Sequence, residues 1–189
     1  MKQLTKFLFT FSAALCCTFA IAQNQDDMKA MMAYMTPGDV HKMMAKSAGT
    51  WTGAISMWMQ PGAQPMTMTG DSKIEMILGG RYLQEKSTGT MMGMPFEGQG
   101  TTAYDNAKKI FISTWIDNAG TGLMYLEGKW DDANKSINFS GKMVDPSTGK
   151  DLAVREVLKF VDDNTHTLEM YITADGKEYK SMEIKYTRK

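Results

Sequence analysis

Two histidines and 21 acidic residues are the groups from which this 189-residue chain could assemble a reaction centre. His41 falls in a short helical pattern, and His166 follows the Asp162-Asp163-Asn164 turn, so the two share no motif spacing. A zinc site needs three or four nitrogen, sulfur or oxygen ligands, and neither an H-x-x-x-H pair nor a cysteine cluster exists here. Both histidines therefore read as structural. Serine catalysis needs a hydroxyl hydrogen-bonded to a base that an acid orients. No G-x-S-x-G stands in the chain, and its serines fall in turns or on mixed strand faces. The glycines separate strands and do not open helices, which excludes phosphate-cradling loops. Glycosidase chemistry wants two inward carboxylates. Glu85, Glu97, Glu127, Glu156, Glu169 and Glu183 are each expected on solvated strand faces, where charged residues nearly always lie. No catalytic residue is assigned, and no cofactor is expected.

Methionine is the abundant chemical resource, with 19 copies. Met57, Met59, Met66 and Met68 lie on consecutive strands joined by a short turn, Met91, Met92 and Met94 lie in a loop, and Met28, Met31, Met32 and Met35 form one helical stripe. Clustered thioethers select Cu(I); the same residues also fill irregular apolar space and make adaptable contact faces. The set Met57, Met59, Met66 and Met68 is thus an alternative metal site beside a packing role. For a small-molecule pocket the expected lining is Met66, Met68, Ile74 and Met76, with Tyr104, Trp115, Tyr125 and Tyr171 as aromatic walls. Arg81 or Arg155 would anchor an acid group. Such pockets are mostly apolar with a few orienting polar groups.

The elements that must position these residues follow from periodicity. Residues 1–22 have the three parts of a secretory signal: Lys2 and Lys6, an apolar run from Phe7 to Ala20, and Ala20-Ile21-Ala22 before the cut. The run is shorter than the roughly 20 residues of a spanning helix. Cys16 and Cys17 lie inside it, so residues 23–189 hold no thiol and rely on burial, without disulfides, outside the cytoplasm. Residues 23–36 read as a Met-rich leader or short helix. A second helix from about Pro37 to Lys46, capped by Thr36, places Val40, Met43 and Met44 on one face.

From Thr50 the period changes to two. Met66, Met68, Ile74, Met76 and Leu78 share one face of a strand, and Thr67, Thr69, Asp71, Lys73 and Glu75 the other, so one face is buried and one is wet. Gly70, Gly98 and Gly100 fall within strands, where a sheet bends. On the fifth strand Phe111 and Trp115 oppose Ile110, Ile112 and Ile116, and its facing stays open. Turns recur at Gly79-Gly80, Asp105-Asn106, Asp117 to Gly120, Asp131 to Asn134, Asp145 to Gly149 and Asp175-Gly176. The last is the strongest hairpin signal. Ten short strands with tight connections and no crossover helix predict an all-β fold, a ten-stranded antiparallel up-and-down barrel over residues 37–189, preceded by one or two short helices. Formal net charge is zero with acids and bases interspersed, which argues against nucleic acid and against an anionic membrane surface.

Gly49-Thr50-Trp51 resembles the G-x-W start of calycin barrels. The resemblance implies that Trp51 closes the barrel floor and that a late basic residue, Arg188, packs across it. His41, Leu78-Gly79-Gly80-Arg81-Tyr82-Leu83, Pro95-Phe96-Glu97-Gly98, Tyr104-Asp105, Trp115-Ile116-Asp117, Gly120-Thr121 and Met182 to Tyr186 resemble the bacterial family DUF1579, over about His41 to Arg188. That resemblance implies a fold and assigns no activity. The expectation is a secreted or periplasmic, non-enzymatic barrel that binds a small apolar or amphipathic molecule, cleaved after Ala22, with no transmembrane segment after that cut and no nucleic-acid partner. Cu(I) binding and an enzyme of unknown type are the rivals.

Overall fold

The computed structural model describes residues 25–189; the expected signal segment 1–22, its cleavage site and both cysteines lie outside the described residues. Two compact units divide at Thr36 and Pro37. In the first, residues 25–35 form helix α1. Its stripe of Met28, Met31, Met32 and Met35 is exposed, and Thr36 Oγ1 donates to the Met32 carbonyl at 2.6 Å. Thr36 therefore ends α1 and does not cap the next helix. That helix, α2 (Asp39–Ala45), begins at Gly38, whose N–H donates to His41 Nδ1 at 3.1 Å.

The second unit continues as ten strands: β1 (Gly49–Met57), β2 (Met66–Ile77), β3 (Tyr82–Met91), β4 (Met94–Asp105), β5 (Ile110–Asp117), β6 (Met124–Asp131), β7 (Ser136–Val144), β8 (Asp151–Asp162), β9 (Thr165–Ala174) and β10 (Lys177–Arg188). Each pairs antiparallel with the next, and β1 pairs β10 to close the barrel. Aspartates set many of the turns. The carboxylates of Asp105, Asp117, Asp131, Asp145 and Asp162 each accept an N–H from two residues on, which bends the chain as a strand ends. Met92-Gly93 and Asp175-Gly176 have positive φ at both positions, the geometry of two-residue hairpins.

Period two fixes which side chains enter the barrel. β2 sends Met66, Met68, Ser72, Ile74 and Met76 inward, with Ser72 and Ile74 buried. The facing of β5 is resolved in favour of Phe111 and Trp115: Phe111 is buried, and Ile116 is 48% exposed on the outer side. Leu78 departs from expectation. It is 70% exposed with φ 49°, because β2 ends at Ile77 and Leu78 opens the turn to β3. Met59 likewise lies beyond the end of β1, in the following loop, 69% exposed. Met91 and Met94 are strand residues flanking a turn, not loop residues.

The interior divides along the barrel axis. At the end where β1 starts and β10 finishes, α2 inserts Met44, with Val40 and Met43 beside it, against Phe111, Leu126, Ile137, Phe139 and Val154. At the opposite end the inward side chains Met57, Met66, Met91, Trp115 and Met182 are only partly buried. The barrel is therefore a cup with a packed floor and a solvent-reached rim.

Gly98 and Gly100 have a sharper purpose than bending. The Trp115 ring lies across them; a Cβ on Gly98 would meet the ring at 2.3 Å, and one on Gly100 at 3.1 Å. Asp117 Oδ2 accepts the Trp115 indole N–H at 2.8 Å and holds the ring down. Gly98→Ala should lower stability by about 1–3 kcal/mol, as overpacking does. A urea midpoint within error of the parent's would refute this, and Trp115→Leu in the alanine background should recover part of the loss.

Candidate functional site

The interior contains a polar cluster in addition to its apolar core. Glu85 points inward from β3, and its Oε1 lies within hydrogen-bond distance of Ser72 Oγ (2.8 Å) from β2, Ser87 Oγ (2.8 Å) from β3 and Tyr186 OH (3.2 Å) from β10. The two serine hydroxyls also meet each other at 2.8 Å. Burial and the neighbouring carboxylates hold the Tyr186 phenol well above its ordinary range, so it stays protonated and donates to Glu85. Glu156, one residue from outward-facing Arg155 on β8, also points inward and is 5% exposed. Its register partners are Phe139 on β7 and Met170 on β9. Burial first, then the charge of Glu85, push its carboxyl up to about 7.

These two residues overturn the expectation that every glutamate lies on a solvated face. Alternation along β8 places Val154, Glu156 and Leu158 on one side, and closure of the barrel makes that side the interior. The signal was present in Val154-x-Glu156-x-Leu158, a charge standing in an apolar register, and in Leu83-x-Glu85-x-Ser87. Chemically, the pair offers one carboxylate held by three hydroxyls and one carboxyl poised to exchange a proton near neutrality. A buried carboxyl raised in this way is a group that proton-transfer and cation-binding sites use.

The floor beneath is aromatic. Trp51 is 1% exposed and meets the His166 ring edge-on at 4.3 Å, and His166 stacks on Tyr186 at 4.4 Å. The Arg188 guanidinium lies 4.1 Å over Trp51 and donates to the carbonyls of Lys46, Ala48 and Asp163. Trp51 Nε1 donates to the Ser47 carbonyl at 2.9 Å. Burial pulls His166 down to about 4, with the nearby Arg188 charge adding to the effect, so its imidazole is neutral. His41 packs edge-on to Tyr104 at 6.0 Å, and burial, then Arg81, lower it too. Among the described residues no group of three or more His, Cys, Asp or Glu side chains is arranged to hold a metal ion.

Of the residues expected to line a pocket, the structure sends Met66, Met68, Ile74, Met76, Tyr104 and Trp115 into the barrel. Ile74 and Tyr104 belong to the packed lower half, Met66 and Met68 to the rim side. Tyr125, Arg155 and Tyr171 are outside. Tyr125 OH donates to Glu127, while Arg155 forms two hydrogen bonds to Glu178 and lies 3.8 Å over the Tyr171 ring. Their parity is opposite to that of Leu126, Glu156 and Met170, which face in. Arg81 sits in the β2–β3 turn, donating to the Leu78 carbonyl at 3.1 Å. Glu85 and Glu156 thus face the interior, while Arg81 and Arg155 do not.

No helix among the described residues is long and apolar enough to cross a membrane. Among solved structures, Rv2717c from M. tuberculosis superposes with a TM-score of 0.59 at 12% identity, covering 82% of this chain and 99% of its own. A redesigned β-barrel superposes with a TM-score of 0.41 at 15% identity, covering 77% of this chain and 94% of its own. The first likeness is one of fold. No curated protein sequence matches the chain. The family described as "Protein of unknown function (DUF1579)" matches residues 36–188, from the residue that follows α1 to the arginine that closes the floor, and the chain belongs to that family.

Proposed function

We propose that the barrel is a non-enzymatic binding protein for a small amphipathic molecule, taken up through the Met-lined rim with its hydrogen-bond-donating or cationic end on Glu85 and Glu156. The observation that carries this reading is Glu156: an inward carboxyl, 5% exposed, that stands beside Met170 on the inner wall and feels the charge of Glu85. Burial disfavours the charged form of this carboxyl, and a ligand that donates a hydrogen bond or brings a positive charge to it offsets that penalty. The flexible thioethers above it suit an apolar body of adaptable shape. Action outside the cytoplasm is part of the proposal, supported by the n-region, apolar run and Ala20-Ile21-Ala22 of the first 22 residues.

Dodecylamine, dodecanol and dodecanoate share one apolar body and differ in the head. Dodecylamine should raise the thermal midpoint most, by the equivalent of about 2.7 kcal/mol at a hundredfold excess over Kd. Dodecanoate, which would place a third carboxylate in the cup, should leave it unchanged. Glu156→Gln should abolish the preference for the amine. Equal shifts from all three, or none from any, would reject the reading.

A further inference from the structure

Two pairs of methionines, Met57 with Met66 and Met170 with Met182, are far apart in the chain and become neighbours when the barrel closes. Met66 on β2 is the register partner of Met57 on β1, Met57 of Met182 on β10, and Met182 of Met170 on β9. All four have the parity of the buried inward residues Ser72, Trp51, Tyr186 and His166 on their own strands. Cross-strand partners stand about 5 Å apart at Cβ. The wall is concave and each thioether swings on three torsions. Met68 lies beside Ile55, one inward position deeper on β2 and diagonal to Met57. The next partner in the row after Met170 is Glu156 on β8.

Sulfur on four adjacent strands, ending in a carboxylate, is a soft-ligand wall with its own counter-charge. We infer that Met57, Met66, Met182 and Met170 form a binding site for one soft monovalent cation, Cu(I), on the inner wall of the barrel near the rim. Thioethers select that ion over the hard divalent cations, which take oxygen. They are neutral, so an ion seated among them brings an uncompensated positive charge into a partly desolvated wall. Glu156 at the end of the row offsets that charge. Composition does not account for the row by itself: Met is 19 of 189 residues, yet it fills four successive inward positions on four strands. The grouping of Met57, Met59, Met66 and Met68 expected from local spacing is revised accordingly. Met59 leaves the set because it is exposed beyond β1, and Met182 and Met170 enter it through barrel closure.

The test uses Ag(I), a redox-inert probe of Cu(I) sites, titrated as the nitrate into the full metal-free chain, with native mass spectrometry and calorimetry as readouts. One tightly held Ag(I) per chain is expected. The double variant Met57→Leu, Met182→Leu keeps volume and apolarity and should weaken that binding at least about a hundredfold while circular dichroism and the thermal midpoint hold. Replacing Met28, Met31, Met32 and Met35 of α1 by Leu should leave it intact. Absence of a one-to-one complex would overturn the inference, as would binding unchanged in the barrel double variant or lost in the α1 variant. Dodecylamine binding by the same metal-free double variant reports on the organic ligand separately, since Glu85 and Glu156 are intact in it.

Discussion

Glu156→Gln is expected to raise stability above pH 7 and to expose a pH dependence that the parent protein conceals. Glu156 titrates near 7 in the folded chain against 4.5 unfolded. The folded state therefore holds that proton more tightly, and stability is lost as pH rises from 4.5 to 7; the loss above 7 is about 3 kcal/mol. His166 does the reverse. It titrates near 4 folded against 6.5 unfolded, so the unfolded chain takes the proton first. Its contribution is present above 6.5 and is lost as pH falls toward 4, again by about 3 kcal/mol. Between 4.5 and 6.5 the two slopes oppose each other and the parent should be nearly flat. With glutamine at 156 only the histidine slope survives: stability should climb from pH 4.5 to 6.5 and then level off. Urea unfolding at pH 4.5, 5.5, 6.5 and 8 measures this directly. A variant profile as flat as the parent's, or a loss of stability at pH 8, would refute the assignment.

Trp51→Ala should be the most damaging single truncation. Trp51 is fully buried, and its removal takes away its contact with His166, the surface under Arg188 and the donor to the Ser47 carbonyl. Aromatic-to-alanine changes in cores cost about 3–5 kcal/mol. For a domain of this size that corresponds to a fall in Tm of roughly 10 °C. Trp51→Phe keeps most of the volume but leaves the Ser47 carbonyl without its donor, so it should recover part of the loss. A fall of under 2 °C for the alanine variant in a thermal scan would show that the floor does not depend on this ring.

Much of the barrel was legible because its strands are short, its turns begin with aspartate, and β2 alternates apolar and polar residues with few exceptions. Position and facing were legible where that contrast existed. On β5 it did not: Ile110, Ile112 and Ile116 are as apolar as Phe111 and Trp115, and it is packing, of Phe111 in the core and of Trp115 over Gly98 and Gly100, that separates inner from outer face. The acidic pair was missed for a different reason. A glutamate inside and a glutamate outside are the same letter, and a prior built on the solvation of charge assigns both to water. The apolar register around Glu156 was the better guide. Local spacing gave the Met57 and Met66 half of the methionine row but not Met182 and Met170, because Met57 and Met182 become partners only when β1 meets β10.

That seam has a kinetic consequence. β1 is made early, and its second edge finds a partner only when β10 arrives, more than a hundred residues later. Arg188 then donates to the carbonyls of Ala48 and Lys46, 140 and 142 residues earlier in the chain. Pairings of such long range pay loop-closure entropy before they return any contact energy, so the seam belongs to the slow end of folding. Until it forms, β1 offers an unpaired backbone edge to any neighbouring chain, and no cysteine stands among the described residues to pin it by a disulfide. A chain that has not yet made β10 cannot satisfy that edge by itself, and the arrival of β10 decides whether the barrel closes on itself or pairs with another copy.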